Sequence, residues 1–87
     1  MINQFVVCGK LESFKDNILT LKVPVKGDEF TLVPVLITFD NLTNSVNQYL
    51  HEGDVVAVKG SFDTIDDKLT LIASKLTFLS KGEIING

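Results

Sequence analysis

Three kinds of side chain have the most reactive chemistry in this sequence: one cysteine, one histidine and a cluster of aspartates. Cys8 has apolar neighbours, so we predict a small packed side chain rather than a nucleophile. His51 has no second histidine, cysteine or Asp-Ser arrangement at catalytic or ligating spacing. Asp63, Asp66 and Asp67 could hold a hard cation, but hairpin carboxylates usually face water. The sequence therefore predicts no enzyme, no metal and no cofactor.

The charge of the chain is unevenly distributed. Its 87 residues, 45% of them apolar, predict one globular domain. Eleven acidic residues outnumber eight lysines, with no arginine, and give a net charge of −3. The acids concentrate in residues 27–67, whereas residues 1–26 and 68–87 are mildly basic. A net negative charge is unfavourable for electrostatic binding of nucleic acid, so any polyanion must avoid the acidic residues 27–67.

Hydrophobic periodicity predicts five strands and one helix. Alternation of apolar and polar residues is clearest over residues 18–25. The helical period lies between a capping Asp40 or Asn41 and a terminating Gly53. The apolar residues of this helix are Leu42, Val46, Tyr49 and Leu50. The remaining strands are predicted at residues 2–11, 30–39, 54–62 and 68–79, with an edge, a bulge or a change of pairing partner expected at Pro34.

The predicted order is β-β-β-α-β-β. A β-rich chain of this length must protect its exposed edges, and curling five bent strands into a closed barrel does so. This is the order of the OB-fold, whose helix covers one end of the barrel. We therefore predict an all-β fold with one short helix, a five-stranded OB-fold barrel over residues 1–80, and a short flexible tail over residues 81–87.

Three segments resemble bacterial single-stranded DNA-binding proteins, in the same order and over nearly the whole chain. They are MINQFVVCGKL, FDNLTNSVNQYLHEGDVVAVKGSF and LIASKLTFL. The resemblance implies that single strands cross the outer face of the barrel, where aromatic rings stack on bases and basic side chains meet phosphates. The chain is similar to a short, divergent member: it has no Trp, its hairpin at residues 63–67 is acidic, and it lacks the family's acidic tail.

Outward lysines and a few phenylalanines are the candidate contacts that this resemblance implies. Phe39 matches a family aromatic just before the helix, and Phe14 lies in a polar turn with little to pack against. Phe5, Phe62 and Phe78 fall on predicted inward positions and are assigned to the core. Solubilising or edge-protecting roles are the alternative for the lysines. The predicted nucleic-acid-binding residues are Lys10, Phe14, Lys22, Lys26, Phe30, Phe39, Lys59 and Lys75.

The expected function is single-stranded DNA binding without strong sequence preference, in DNA replication, recombination or repair. The alternative is an OB-fold accessory protein that acts through protein contacts, which the acidic middle and the missing Trp favour. Strand one is apolar enough to pair with a copy of itself, so we expect a dimer or tetramer. With no membrane-spanning window and no secretory leader, we expect a cytoplasmic protein.

Overall fold

The computed structural model of the chain describes residues 2–49, 51–79 and 82–87. In those residues it has six strands and one helix, and no helix long and apolar enough to cross a membrane. The elements are β1 Phe5–Lys15, β2 Ile18–Lys26, β3 Glu29–Leu36, α1 Asp40–Tyr49, β4 Val55–Ile65, β5 Lys68–Phe78 and β6 Glu83–Asn86. The predicted order is confirmed for the first five strands and the helix.

The sheet closes into a five-stranded barrel through β3 and β5. Neighbouring strands pair antiparallel in the order β3-β2-β1-β4-β5. Val35 and Leu36 then pair in parallel with Leu71 and Ile72, which joins the two ends of the sheet. Pro34 lies one residue before this new pairing, where its missing N–H removes no ladder bond to β5. Pairing with β2 continues through Pro34, so of the three predicted possibilities the structure shows an edge that ends here, where β3 gains β5 as a second partner.

The core consists of alternate residues of the strands together with one side of the helix. Leu42 and Val46 of α1 are buried, and the Tyr49 ring lies 5.7 Å from the Phe78 ring, centroid to centroid. Leu50, the fourth predicted helix contact, lies outside the described residues. The buried strand residues are Phe5, Leu11, Leu19, Leu21, Val35, Val56, Val58, Ala73, Leu76 and Phe78.

Gly60 permits a close approach of β4 to β5 at the point where the barrel closes. A Cβ placed on Gly60 would lie 1.8 Å from the carbonyl oxygen of Ile72 and 2.8 Å from the Phe5 ring. The register of β4 on β5 shifts between Lys59 and Gly60, so a bulge bends the strand here. Ile72 also pairs with β3. A side chain at position 60 would therefore disturb β5 at the point where it contacts both of its neighbours.

Two hairpins end in tight two-residue turns. Asp16, Asn17, Asp66 and Asp67 all have positive φ, between 52° and 63°. Two consecutive left-handed residues form a type I′ turn, and Asp and Asn tolerate that conformation better than other non-glycine residues. Strand β1 continues to Lys15, so the first four residues of the polar segment 12–17, which was predicted as a loop, belong to a strand.

The end of the chain forms a strand that the sequence did not predict. Glu83–Asn86 pairs antiparallel with β5 and extends the sheet beyond the barrel. Ile85 lies opposite Leu76 and packs against the core, and the Asn41 side chain donates to the Asn86 carbonyl oxygen. The predicted boundary between barrel and tail, at residues 80 and 81, lies outside the described residues.

Replacing Gly60 with alanine is expected to lower the free energy of unfolding by about 3 kcal/mol, because the new methyl group would overlap the Ile72 carbonyl. Urea unfolding followed by circular dichroism measures this loss. Gly27→Ala is the matched control: Gly27 has positive φ but open space around it, so only the backbone cost of about 1 kcal/mol is expected. Equal losses in the two variants would contradict the role assigned to Gly60.

Candidate nucleic-acid interface

The outward side of the sheet presents two faces. The front face consists of the outward residues of β2 and β3, and the back face of those of β6, β5, β4 and the first half of β1. The front face comprises Ile18, Thr20, Lys22, Pro24, Phe30, Leu32, Pro34 and Leu36. The back face comprises Val6, Cys8, Ala57, Lys59, Lys75, Thr77, Ile84 and Asn86.

The front face is apolar and open to solvent. Phe30 is 51% exposed, Leu32 50% and Ile18 40%. From Leu36 to Phe30 the face runs six residues along β3, a length of about 20 Å at the rise of an extended strand. Contiguous exposed apolar surface is uncommon on a monomeric protein and marks a binding site when polar groups rim it. The front face therefore has the length and the chemistry of a binding track.

One end of this track is a cleft between the front face and the β4–β5 hairpin. Its volume is about 490 Å³, within the range of pockets that take small ligands. The front face contributes Ile18, Pro34 and Leu36 to it. The hairpin contributes Ile65, Asp66, Lys68, Leu69 and Thr70. The walls are mainly apolar, and Lys68 and Asp66 add one cation and one carboxylate.

Two lysines lie side by side at the middle of the track. Lys10 of β1 and Lys22 of β2 are directly opposed in the register. The Lys22 ammonium lies 3.9 Å from the centroid of the Phe30 ring, a cation–π contact. Like charges directly opposite each other in a sheet destabilise it, so the pair is best stabilised by an anion between the two groups. The arrangement places positive charge and an aromatic face within the reach of one nucleotide.

The structure brings together three of the predicted contacts, Lys10, Lys22 and Phe30. Lys26 lies at the β2–β3 turn, exposed and opposite Glu29. The outward positions predicted for Lys10 and Lys22 agree with the register. Of the predicted site, only these three residues thus form one continuous surface, at the front face.

The other predicted contacts lie elsewhere. Lys59 and Lys75 are outward, as predicted, but they belong to the back face. Phe39 is 44% exposed, and its ring lies against Gly87 at the end of the chain. Phe14 is on β1 rather than in a loop: a bulge before it turns its side chain inward, where it is half-buried against the core. Phe14 and Phe39 are therefore not part of the front face.

Two expectations about packing are corrected by the register. Cys8, predicted to be packed, is exposed, because Val7 and Gly9 take the inward positions on either side of it. Phe62, predicted to be in the core, is 36% exposed at the rim of the barrel. Its ring still contacts Phe5 at a centroid distance of 5.7 Å. The bulge at Gly60 carries this end of β4 away from the core.

Most of the apolar residues of the front face were not predicted as site residues. The available signal was in residues 30–39, which are apolar on both faces of a strand whose barrel can bury only one of them. Leu32 and Pro34 are the outward residues of that run. Only the pairing of β2 with β3 shows that they continue the surface that Ile18 begins.

The comparisons with known proteins agree with this fold. No family model and no curated protein matches the sequence. Among solved structures, the chain is similar to the mitochondrial single-stranded DNA-binding protein Rim1 of S. cerevisiae, with a TM-score of 0.78 and 13% identity over 91% of this chain and 94% of that one. A second crystal form of Rim1 gives a TM-score of 0.76 and 14% identity, with both chains fully covered.

A more distant similarity is to the Stn1–Ten1 complex of S. pombe, with a TM-score of 0.55 and 18% identity over 99% of this chain and 60% of that one. At these identities the similarity establishes the fold and nothing finer. The chain is a closed five-stranded OB-fold barrel with one short helix.

Lys10→Glu is expected to raise the free energy of unfolding by about 0.5 kcal/mol at low salt, because it turns the Lys10–Lys22 repulsion into an attraction. Urea unfolding at low and high salt measures the change, and salt should reduce it. Lys26→Glu is the matched control, since it places a second carboxylate opposite Glu29 and should lower stability by a similar amount. Stabilisation by both variants, or by neither, would contradict the assigned register of charges.

Proposed function

We propose that this protein binds single-stranded DNA through the front face, without strong sequence preference. The observation that carries the proposal is the exposed apolar track with the Lys10–Lys22 pair at its middle, Phe30 at one end and the cleft at the other. Every base has an apolar face that can stack, whereas its sequence-specific edges find few fixed polar partners on such a surface. The ligand class follows from this combination of flat apolar surface and positive charge.

The strength of the competing contacts decides how Phe30 can act. Stacking of a base on an aromatic ring contributes about 1–3 kcal/mol. A cation–π contact at an exposed site contributes about 0.5–1 kcal/mol. A base therefore displaces the Lys22 ammonium from the Phe30 ring, and the freed ammonium is then close to the phosphate of the same nucleotide. In this proposal, the contact in the free protein holds the ring and the cation in place for a nucleotide.

The affinity of one protomer is expected to be modest. Three or four lysines that meet phosphates give a salt slope of about −2 to −3 for a single strand. Acidic side chains stand near both ends of the track, with Glu29 beside Phe30 and Asp66 in the cleft. These carboxylates repel a strand that runs past either end, so they confine binding to the stretch between Phe30 and the cleft.

Self-association through β1 is part of the proposal. Residues 5–9 pair with β4 on one side, while pairing with β2 on the other side begins only at Lys10. In the described part of the chain, the second edge of residues 5–8 has no strand paired with it, whereas Gly9 already lies against β2. Two copies that pair along this edge form an isologous dimer and align two front faces for one strand. This joins weak sites into one of higher affinity.

The resemblance to bacterial single-stranded DNA-binding proteins supports a role in DNA replication, recombination or repair. The similarity of the fold to Rim1, whose name describes the same ligand, supports the same class. Cys8 is an exposed free thiol, which suits a reducing compartment such as the cytoplasm. We include both the cellular role and the cytoplasmic location in the proposal.

A second candidate function is recognition of a protein segment by the same cleft. The observation that favours it is the carboxylate of Asp66 at the rim of a mainly apolar cleft, next to the turn it shares with Asp67. A partner segment with an apolar side chain and a nearby Lys or Arg would complement this charge better than a phosphate does. This function requires a defined partner and no affinity for oligonucleotides.

A fluorescence-anisotropy titration with labelled oligo-dT at low salt tests the first proposal. We expect binding with the shallow salt slope given above and a loss of about tenfold in affinity for Phe30→Ala, because one stacked base is lost. Val25→Ala is the control, since Val25 is more exposed than Phe30 but lies outside the cleft lining and the front face. No change in anisotropy at tens of micromolar wild-type protein would overturn the DNA-binding proposal and favour the protein-segment function.

Light scattering tests the assembly. A dimer or tetramer is expected, with an affinity for long oligo-dT that rises with the fraction of assembled protein. A monomeric protein at all concentrations would refute pairing through β1. Assembly without any gain in oligonucleotide affinity would show that pairing does not align the two front faces.

A further inference from the structure

The back face carries a second pair of opposed lysines. Lys59 of β4 and Lys75 of β5 are directly opposite in the register. Val6 of β1 lies beside Lys59 and Asn86 of β6 beside Lys75, so one row across four strands reads Val6, Lys59, Lys75, Asn86. The Ser74 hydroxyl donates to the Lys59 carbonyl oxygen at 3.1 Å, which ties the two central strands together at this row. The row therefore holds two lysines directly opposite each other and no acidic residue.

A shallow depression lies between these lysines and the next row. Its volume is about 170 Å³, nearly six times the ~30 Å³ that a water molecule occupies in the liquid. It is lined by Val6, Ala57, Val58, Lys59, Lys75 and Thr77. The lysines are the only charged residues of this lining, and the Thr77 hydroxyl is a further hydrogen-bond donor. The depression has the size and the donors for a phosphate group.

Edge protection does not account for the pair. Lysines commonly protect the outer strands of a sheet, where they prevent pairing with another chain. β4 and β5 are interior strands of the order β3-β2-β1-β4-β5-β6, each paired on both sides. No ion pair joins Lys59 or Lys75 to a carboxylate within the described residues. Two like charges held opposite each other on interior strands destabilise the sheet unless an anion lies between them.

We propose that Lys59, Lys75 and Thr77 form a second phosphate-binding site, which holds the phosphodiester backbone of a strand that has crossed the front face. This inference rests on the proposed function. Lys10 connects the two faces, because β1 pairs with β2 on one side of it and with β4 on the other. The row with Lys59 meets β1 at Val6, four residues or about 13 Å from Lys10. A strand that leaves the Lys10–Lys22 pair reaches the back face within a few nucleotides.

Oligonucleotide length distinguishes the back face from the front face. A five-nucleotide oligo-dT spans only the front face, whereas a thirty-nucleotide oligo-dT continues onto the back face. For Lys59→Gln/Lys75→Gln we expect an affinity for the short oligonucleotide within twofold of wild type. For the long one at 50 mM salt, we expect a loss of about tenfold and a salt slope shallower by about 1.4, because two phosphate contacts are lost.

Two further variants serve as controls. Lys59→Arg/Lys75→Arg retains both charges and should keep the wild-type affinity and slope. Lys10→Gln/Lys22→Gln should weaken both oligonucleotides, because it acts on the front face. Urea unfolding should show Lys59→Gln/Lys75→Gln to be at least as stable as wild type, since a repulsion is removed. A loss of affinity for the long oligonucleotide then cannot be attributed to unfolding of this variant.

Each outcome decides between the two proposals. If wild type binds neither oligonucleotide, the proposed function fails and the back-face site fails with it. If wild type binds both, and Lys59→Gln/Lys75→Gln leaves the long oligonucleotide and its salt slope unchanged, the back-face site is overturned while the proposed function stands. If inorganic phosphate alone shifts the Thr77 amide resonance but that variant still binds the long oligonucleotide like wild type, the site takes free phosphate and its assignment to the DNA backbone is overturned.

Discussion

The contact between the backbones of Gly60 and Ile72 is the constraint on which the rest of the barrel depends. The β3–β5 pairing that closes the barrel consists of two residue pairs, and one of them includes Ile72. The bulge at Gly60 bends β4 at the same level, and the absent side chain leaves room for both the Ile72 carbonyl and the Phe5 ring. Closure fixes which side of β2 and β3 faces water. The front face is therefore a consequence of how β4 and β5 pack on the other side of the barrel.

Strand register, rather than the number of charges, determines where this acidic protein can attract an anion. Only eight lysines oppose eleven acids, yet four of the lysines meet as two cross-strand pairs on outward positions. A pair of adjacent ammonium groups produces a local positive potential that the net charge of the chain does not reveal. The acids gather at the turns instead, as Asp16, Asp66 and Asp67 show. The paired lysines on the strands are thus separated in space from the aspartates in the turns.

The fold was largely predictable from the sequence, and the site only in part. The alternation of apolar and polar residues and one helical period predicted the order of the strands and the helix, because each of these elements buries one face. The strand at Glu83–Asn86 was missed because its two isoleucines are adjacent and show no alternation. Phe14 was misplaced because its polar neighbours hide a bulge, and only the pairing with β2 shows that its side chain points inward. The cleft combines the start of β2, the end of β3 and the tip of a distant hairpin, so no local pattern could indicate it.

The two turns of aspartate and asparagine have a further consequence for the binding track. Loops of two residues in a left-handed conformation leave the backbone little freedom, so the β1–β2 and β4–β5 hairpins form stiff walls beside the cleft. A single strand in solution is flexible by comparison. On association the conformational entropy is then lost chiefly by the ligand, and a ligand that is already stacked and extended would bind with the smaller penalty.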